Sequence, residues 1–90
     1  MKTHTAQGNL MNNLEAYEQK KREKIQLYFW NIVGGVEHVS LPKLEDAIKK
    51  EFNNADDRFV ENQIRLMQTE SRIRVQSRVK VWIKQSDVPR

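Results

Sequence analysis

Within segment 56–83 the hydrophobic period changes from that of a helix to that of a strand, and the rest of the chain can be interpreted as support for this segment. The first half of the segment repeats apolar residues every three or four positions, with Val60, Ile64 and Met67 on one stripe, as in an amphipathic helix. The second half, residues 72–84, alternates apolar and polar residues, as half-buried strands do. We therefore expect a helix followed directly by a two-stranded antiparallel ribbon.

The side of this helix opposite the apolar stripe carries side chains suited to the edges of DNA bases. They are Arg58, Asn62, Arg65 and Thr69. Arginine pairs with two acceptors of guanine, asparagine pairs with adenine, and threonine bonds several edges or touches a thymine methyl. The pair Asp56–Asp57 in the first turn opposes phosphate binding, which counts against DNA binding or implies that the helix enters a groove by its middle.

The two strands are expected to separate an apolar face from a basic face. The apolar face collects Ile73, Val75, Val79, Val81 and Ile83. The other face collects Arg72, Arg74, Lys80, Trp82 and Lys84. With Arg78, the ribbon carries five basic residues and no acidic ones, whereas a merely solvated face more often mixes signs. No Gly or Asn supplies a primed turn near Ser77, which predicts a longer or irregular loop.

A long first helix is expected to begin near Asn9 or Asn12 and to end at Gly34–Gly35, a strong stop signal. Its apolar side comprises Leu14, Tyr17, Ile25, Tyr28, Phe29 and Ile32. Segment 18–24 (EQKKREK) interrupts this side for about two turns. The second half of the helix is expected to pack into the domain. The first half of the helix, with Leu10, Leu14 and Tyr17, then extends toward a partner, or it frays or folds back over the core.

The middle of the chain predicts a short strand and a second helix. Residues 36–39 have strand character, and Ser40 or Leu41 begins a helix that tolerates Pro42 in its first turn. Its core stripe is Leu41, Leu44, Ile48 and Phe52. Segment 53–55 (NNA) is expected to form the inter-helix turn, and Asn54 or Asp56 to cap the third helix.

Length and composition indicate one small globular domain. The chain has 90 residues, a net charge of +4 and no Cys, which excludes disulfides and thiolate metal sites and fits a reducing cytoplasm. No apolar run approaches the roughly 20 residues that span a bilayer. No glycine-rich phosphate loop or catalytic constellation occurs, so neither an enzyme nor a cofactor, metal or small-molecule substrate is expected. We divide the chain into a flexible tail (1–9), the domain (10–84) and a second flexible tail (85–90).

The predicted order of helix, short strand, helix, turn, helix and two-stranded ribbon resembles the winged helix-turn-helix superfamily. The resemblance implies an α+β fold with three helices, a long N-terminal helix and a C-terminal β-hairpin wing. It also implies that the third helix enters the major groove of duplex DNA and that the wing touches the backbone. Carried onto this chain, the helix contacts are Arg58, Asn62, Arg65 and Thr69, and the wing contacts are Arg72, Arg74, Arg78, Lys80 and Lys84.

Two functions are compatible with these features. The first is a non-enzymatic DNA-binding protein, dimeric, that acts as a small transcriptional regulator or in replication, partition or DNA transfer. The second is a winged-helix interaction subunit that docks on a larger replication or nucleic-acid-processing protein through Leu14, Tyr17 and Trp82. Trp82 is expected on the outer face of the ribbon, where it contacts DNA. The alternative is that it packs on the first helix or on a second subunit.

Overall fold

The computed structural model describes residues 2–53 and 55–85, with side chains from Leu14 onward. The elements in chain order are α1 (Lys2–Val33), β1 (His38–Val39), α2 (Leu41–Phe52), α3 (Asp57–Thr69), β2 (Ile73–Ser77) and β3 (Lys80–Ile83). The fold is therefore α+β, with three helices and a small antiparallel sheet, a layout compatible with a winged helix. Within the described residues, no helix combines the length and apolarity needed to cross a membrane.

Helix α1 is longer than its capping signals predicted. It begins at Lys2 rather than near Asn9 or Asn12, and so includes most of segment 1–9, which the sequence assigned to a flexible tail. No proline interrupts residues 2–33. Asn12 and Glu15, which have the spacing of a capping box, lie inside the helix and not at its start. Residues 86–90 of the predicted C-terminal tail lie outside the described residues.

The predicted end of α1 at Gly34–Gly35 is confirmed. Both glycines have positive φ, +58° and +79°. A Cβ at position 35 would lie 2.6 Å from the Trp30 ring, whereas one at position 34 would meet nothing within 4 Å. Gly35 therefore combines the left-handed backbone with a close approach to an aromatic side chain that packs on the core.

The caps of α2 and α3 follow the predicted chemistry. The hydroxyl of Ser40 accepts from the Lys43 backbone N–H (3.4 Å), and the carboxylate of Asp56 accepts from the Phe59 N–H (2.8 Å). Asn53, at the C-terminal end of α2, has φ +56°, as expected for this turn. Asn54, the alternative cap, lies outside the described residues.

Strand β3 lies at the centre of the sheet, with strand order β1-β3-β2 and both pairings antiparallel. The hairpin connection is two residues, Arg78 and Val79, which is shorter than predicted. Neither residue has a positive φ, so the turn is not of the primed type. The irregularity instead appears as a shift of register between Val75 and Ser77. Val79 therefore lies at the tip and is 64% exposed, not on the apolar face where alternation placed it.

The core lies between the three helices and the inner face of the sheet. Its buried apolar members are Ile25, Phe29, Val33, Val39, Leu44, Ile48, Val60, Ile64, Met67, Ile73, Val81 and Ile83. Two side chains predicted to pack inward from α1 are exposed, namely Tyr28 (59%) and Ile32 (61%). The helix turns the side that contains Phe29 and Val33 toward the body, because α2 and strands β1 and β3 pack there.

Candidate nucleic-acid interface

The four polar side chains on the front of α3 are all exposed, and the opposite side of the helix is held in the core. The exposed residues are Arg58, Asn62, Arg65 and Thr69. The buried residues of α3 are Val60, Gln63, Ile64 and Met67. The Thr69 hydroxyl donates to the Arg65 carbonyl oxygen at 3.0 Å, so its own oxygen can still accept a hydrogen bond. The front therefore presents two guanidinium groups, an amide and a hydroxyl to solvent.

Acidic groups surround the N-terminal end of this front. Asp56 uses its side chain to cap the helix, and Asp57 lies 3.3 Å from the ammonium of Lys49 on α2. Glu61 joins Arg58 and Asn62 in a shallow depression on the exposed side. Phosphate binding is opposed at this end, so the middle and C-terminal part of α3 are the better surface for DNA.

The hairpin presents a second basic surface, three residues beyond the end of α3. Its exposed cations are Arg74, Arg78, Lys80 and Lys84, and no acidic residue occurs between positions 71 and 84. The tip is held on the body because the Leu41 N–H donates to the Arg78 carbonyl oxygen at 2.7 Å. The cations are thus attached to an anchored turn instead of a long mobile loop.

Arg72 differs from the other cations predicted for the wing. Its guanidinium donates to Glu70 Oε1 at 2.8 Å and to Gln26 Oε1 at 2.9 Å, and only 18% of its side chain is exposed. The structure therefore places Arg72 inside an intramolecular network and leaves four wing cations at the surface.

Trp82 lies on the outer face of the sheet, as alternation predicted. Its register partners are His38 on β1 and Arg74 on β2. The indole N–H donates to Gln76 Oε1 at 2.8 Å, and the ring meets His38 edge to face with centroids 5.4 Å apart. The half-buried ring is thus oriented by residues of the sheet, beside the cations of the hairpin.

A buried polar network connects α1 to the C-terminal end of α3. Arg22 is only 4% exposed. It donates to both carboxylate oxygens of Glu70 (2.9 and 2.7 Å) and to Gln63 Oε1 (2.8 Å), and lies 3.8 Å from Glu18. The Gln26 amide donates to the Lys84 carbonyl oxygen at 2.7 Å. The network therefore fixes both ends of the segment that joins α3 to the hairpin.

Glu70 is the anionic centre of this network. Partial burial acts to raise the pKa of its carboxyl, but hydrogen bonds from Arg22 and Arg72 outweigh burial and hold the pKa below its ordinary value of 4.5. Glu70 is therefore ionised at neutral pH and compensates two arginines at once. Because Glu70 and Arg72 are held by these hydrogen bonds, the direction in which the chain leaves α3 is fixed.

The sequence interpretation missed this network, although a signal for it exists. Arg22 and Gln26 continue, at helical spacing, the side of α1 that carries Phe29 and Val33. Because the interpretation followed apolar residues only, it treated segment 18–24 as an interruption. Glu18, one turn before Arg22 on α1, lies 3.8 Å from it at the edge of this buried cluster.

The residues predicted to dock a partner lie on the same helix, before this network. Leu14 and Tyr17 are 60% and 55% exposed, and the Lys21 ammonium lies 5.0 Å from the centre of the Tyr17 ring. The Leu10 side chain lies outside the described residues.

Comparisons with protein-family models, with curated proteins and with solved structures find no match to this chain. Among residues 2–53 and 55–85, no group of three or more His, Cys, Asp or Glu side chains is placed to hold a metal ion.

Proposed function

We propose that this protein is a non-enzymatic DNA-binding protein that contacts duplex DNA through α3 and the β2–β3 hairpin. One observation carries the proposal: two consecutive elements, joined by three residues, both present exposed side chains of the kind that bind nucleic acid. They are Arg58, Asn62, Arg65 and Thr69 on α3, and Arg74, Arg78, Lys80 and Lys84 on and beside the hairpin. A transcriptional, replication, partition or DNA-transfer role fits this activity.

The two surfaces have different tasks in this proposal. The hairpin cations neutralise phosphates, which supplies affinity without reading sequence. The amide of Asn62 and the guanidinium of Arg65, in the middle of the exposed front of α3, read base edges. The Arg22–Glu70–Arg72 network keeps the two surfaces in one relative orientation, because it bonds α1 to the segment between them.

The dependence of DNA affinity on salt tests the proposal. The logarithm of the binding constant should fall linearly with the logarithm of salt concentration, by about 0.9 per neutralised phosphate. The variant Arg74→Gln/Arg78→Gln/Lys80→Gln should reduce this slope by up to about 2.7, since three contacts are lost. The control Lys20→Gln removes one positive charge from an exposed position outside the hairpin and should leave the slope unchanged. Equal slopes for both variants would remove the hairpin from the interface.

The exposure of Leu14 and Tyr17 favours the second candidate function, a subunit that docks on a larger protein. Fluorescence separates the two functions, because Trp30→Phe leaves Trp82 as the sole indole. If the hairpin binds DNA, a generic duplex should quench Trp82 emission, and added salt should reverse the quenching. If duplex DNA at low salt neither changes Trp82 emission nor shows a complex with the protein in a gel-shift assay, the interaction subunit is favoured.

A further inference from the structure

Helix α1 carries a second apolar stripe that the body of the protein does not cover. Its members are Leu14 (60% exposed), Tyr17 (55%), Tyr28 (59%) and Ile32 (61%). At about 100° per residue these four positions fall within an arc of roughly 60°, centred roughly 120° from the buried side that contains Phe29 and Val33. Exposed apolar residues scattered singly need no explanation, whereas a stripe along one helix indicates an interaction surface.

The stripe is nearly symmetric about its own midpoint. Leu14 and Ile32 lie nine residues before and after position 23, and Tyr17 and Tyr28 lie six before and five after it. In an antiparallel pair of α1 helices, Leu14 of one copy therefore meets Ile32 of the other, and the tyrosines meet each other. A two-fold interface requires such self-complementarity, and an unrelated partner does not.

A groove beside the second half of the stripe is shaped to receive the first half. It has a volume of about 860 Å³ and lies between α1 and α2, with Ile25, Phe29, Val39 and Ala47 among its apolar lining. Its charged lining is balanced, with Lys24, Lys43 and Lys50 beside Glu37, Asp46 and Glu51. The match therefore rests on apolar contact, because the segment that would enter, residues 14–19 (LEAYEQ), brings Leu14 and Tyr17 to the apolar lining.

The two lysines near the midpoint are partly compensated within each chain, because they share one carboxylate. Lys21 and Lys24 lie 3.2 and 3.3 Å from the same carboxylate oxygen of Glu51 on α2. The repulsion between like charges that would oppose an antiparallel pair is therefore reduced where the two helices cross.

We infer that the occupant of this surface is a second copy of the chain. The two α1 helices pair antiparallel, and residues 14–17 of each copy lie in the α1–α2 groove of the other. The contact extends over roughly 27 Å of each helix, at 1.5 Å per residue. It uses neither the front of α3 nor the hairpin, so it does not depend on the proposed DNA-binding function.

Sedimentation equilibrium without DNA tests the pairing. Leu14→Asp/Tyr17→Asp should weaken self-association at least about tenfold, because carboxylates would be buried against apolar side chains. Tyr28→Asp/Ile32→Asp, on the other half of the stripe, should have the same effect. Gln68→Asp adds a charge to an exposed position on α3, outside the stripe and the groove, and should leave the association unchanged. Circular dichroism confirms that each variant is folded.

Cysteine crosslinking tests the antiparallel direction, since the natural chain has no Cys. Under mild oxidation, an equimolar mixture of Leu14→Cys and Ile32→Cys should yield a disulfide-linked dimer that contains one of each. Neither variant alone should crosslink, because its two cysteines would be roughly 27 Å apart. Crosslinking of Leu14→Cys alone would show parallel helices. A wild type that remains monomeric at high concentration would overturn the inference.

Discussion

Replacing Arg22 by methionine is expected to lower the free energy of unfolding by about 2–4 kcal/mol. The substitution keeps most of the side-chain volume but removes the guanidinium that bonds Glu70 and Gln63. Removing one partner of a fully buried ion pair costs about 3–5 kcal/mol. The expected cost is lower here because Glu70 keeps Arg72 as a partner and is 20% exposed. Urea unfolding measures the change.

The control is Lys20→Met, which removes the same charge from the same helix at an exposed position and should change stability by less than about 0.5 kcal/mol. The pH dependence adds a second readout. Because the folded pKa of Glu70 lies below 4.5, its ionised form stabilises the protein above that pH, and this contribution is lost as pH falls through the folded value. The loss in acid should be smaller in Arg22→Met. If Arg22→Met and Lys20→Met unfold at the same urea concentration, the network does not stabilise the fold.

Asn62→Ala and Arg65→Ala are each expected to reduce the affinity for a specific DNA site by about 1–3 kcal/mol, the worth of one good bidentate base contact. Both side chains are exposed on α3, so the free energy of unfolding should change little. A site selected from random duplexes provides the ligand, and binding is compared with that of a scrambled duplex at one fixed salt concentration.

The result that distinguishes base reading from phosphate binding is the ratio of the two affinities. If α3 reads bases, the variants lose affinity for the selected site and keep it for the scrambled duplex. The control Asn31→Ala/Lys20→Ala removes an amide and a cation from exposed positions on α1 and should preserve both affinities. Unchanged binding of the selected site by both α3 variants would contradict the assignment of this helix.

The elements that have local signals could be predicted from the amino-acid sequence. Three such features depend only on hydrogen bonds and steric contacts within a few residues. They are the helix caps Ser40 and Asp56, the end of α1 at Gly34–Gly35 and the positive φ of Asn53. The polar front of α3 and the outward position of Trp82 follow from helical and strand periods, which are equally local. Predicting these features did not require knowing which elements pack against each other.

The packing of helices and sheet sets which side of α1 faces the body and which cations remain at the surface. Arg22 and Gln26 are buried because their partners Gln63, Glu70 and Arg72 lie more than 30 residues away in the chain. The side of α1 with Tyr28 and Ile32 lies outward, although both side chains are large and hydrophobic. A charged residue can be buried when hydrogen bonds compensate its desolvation, and those partners are not local in the sequence.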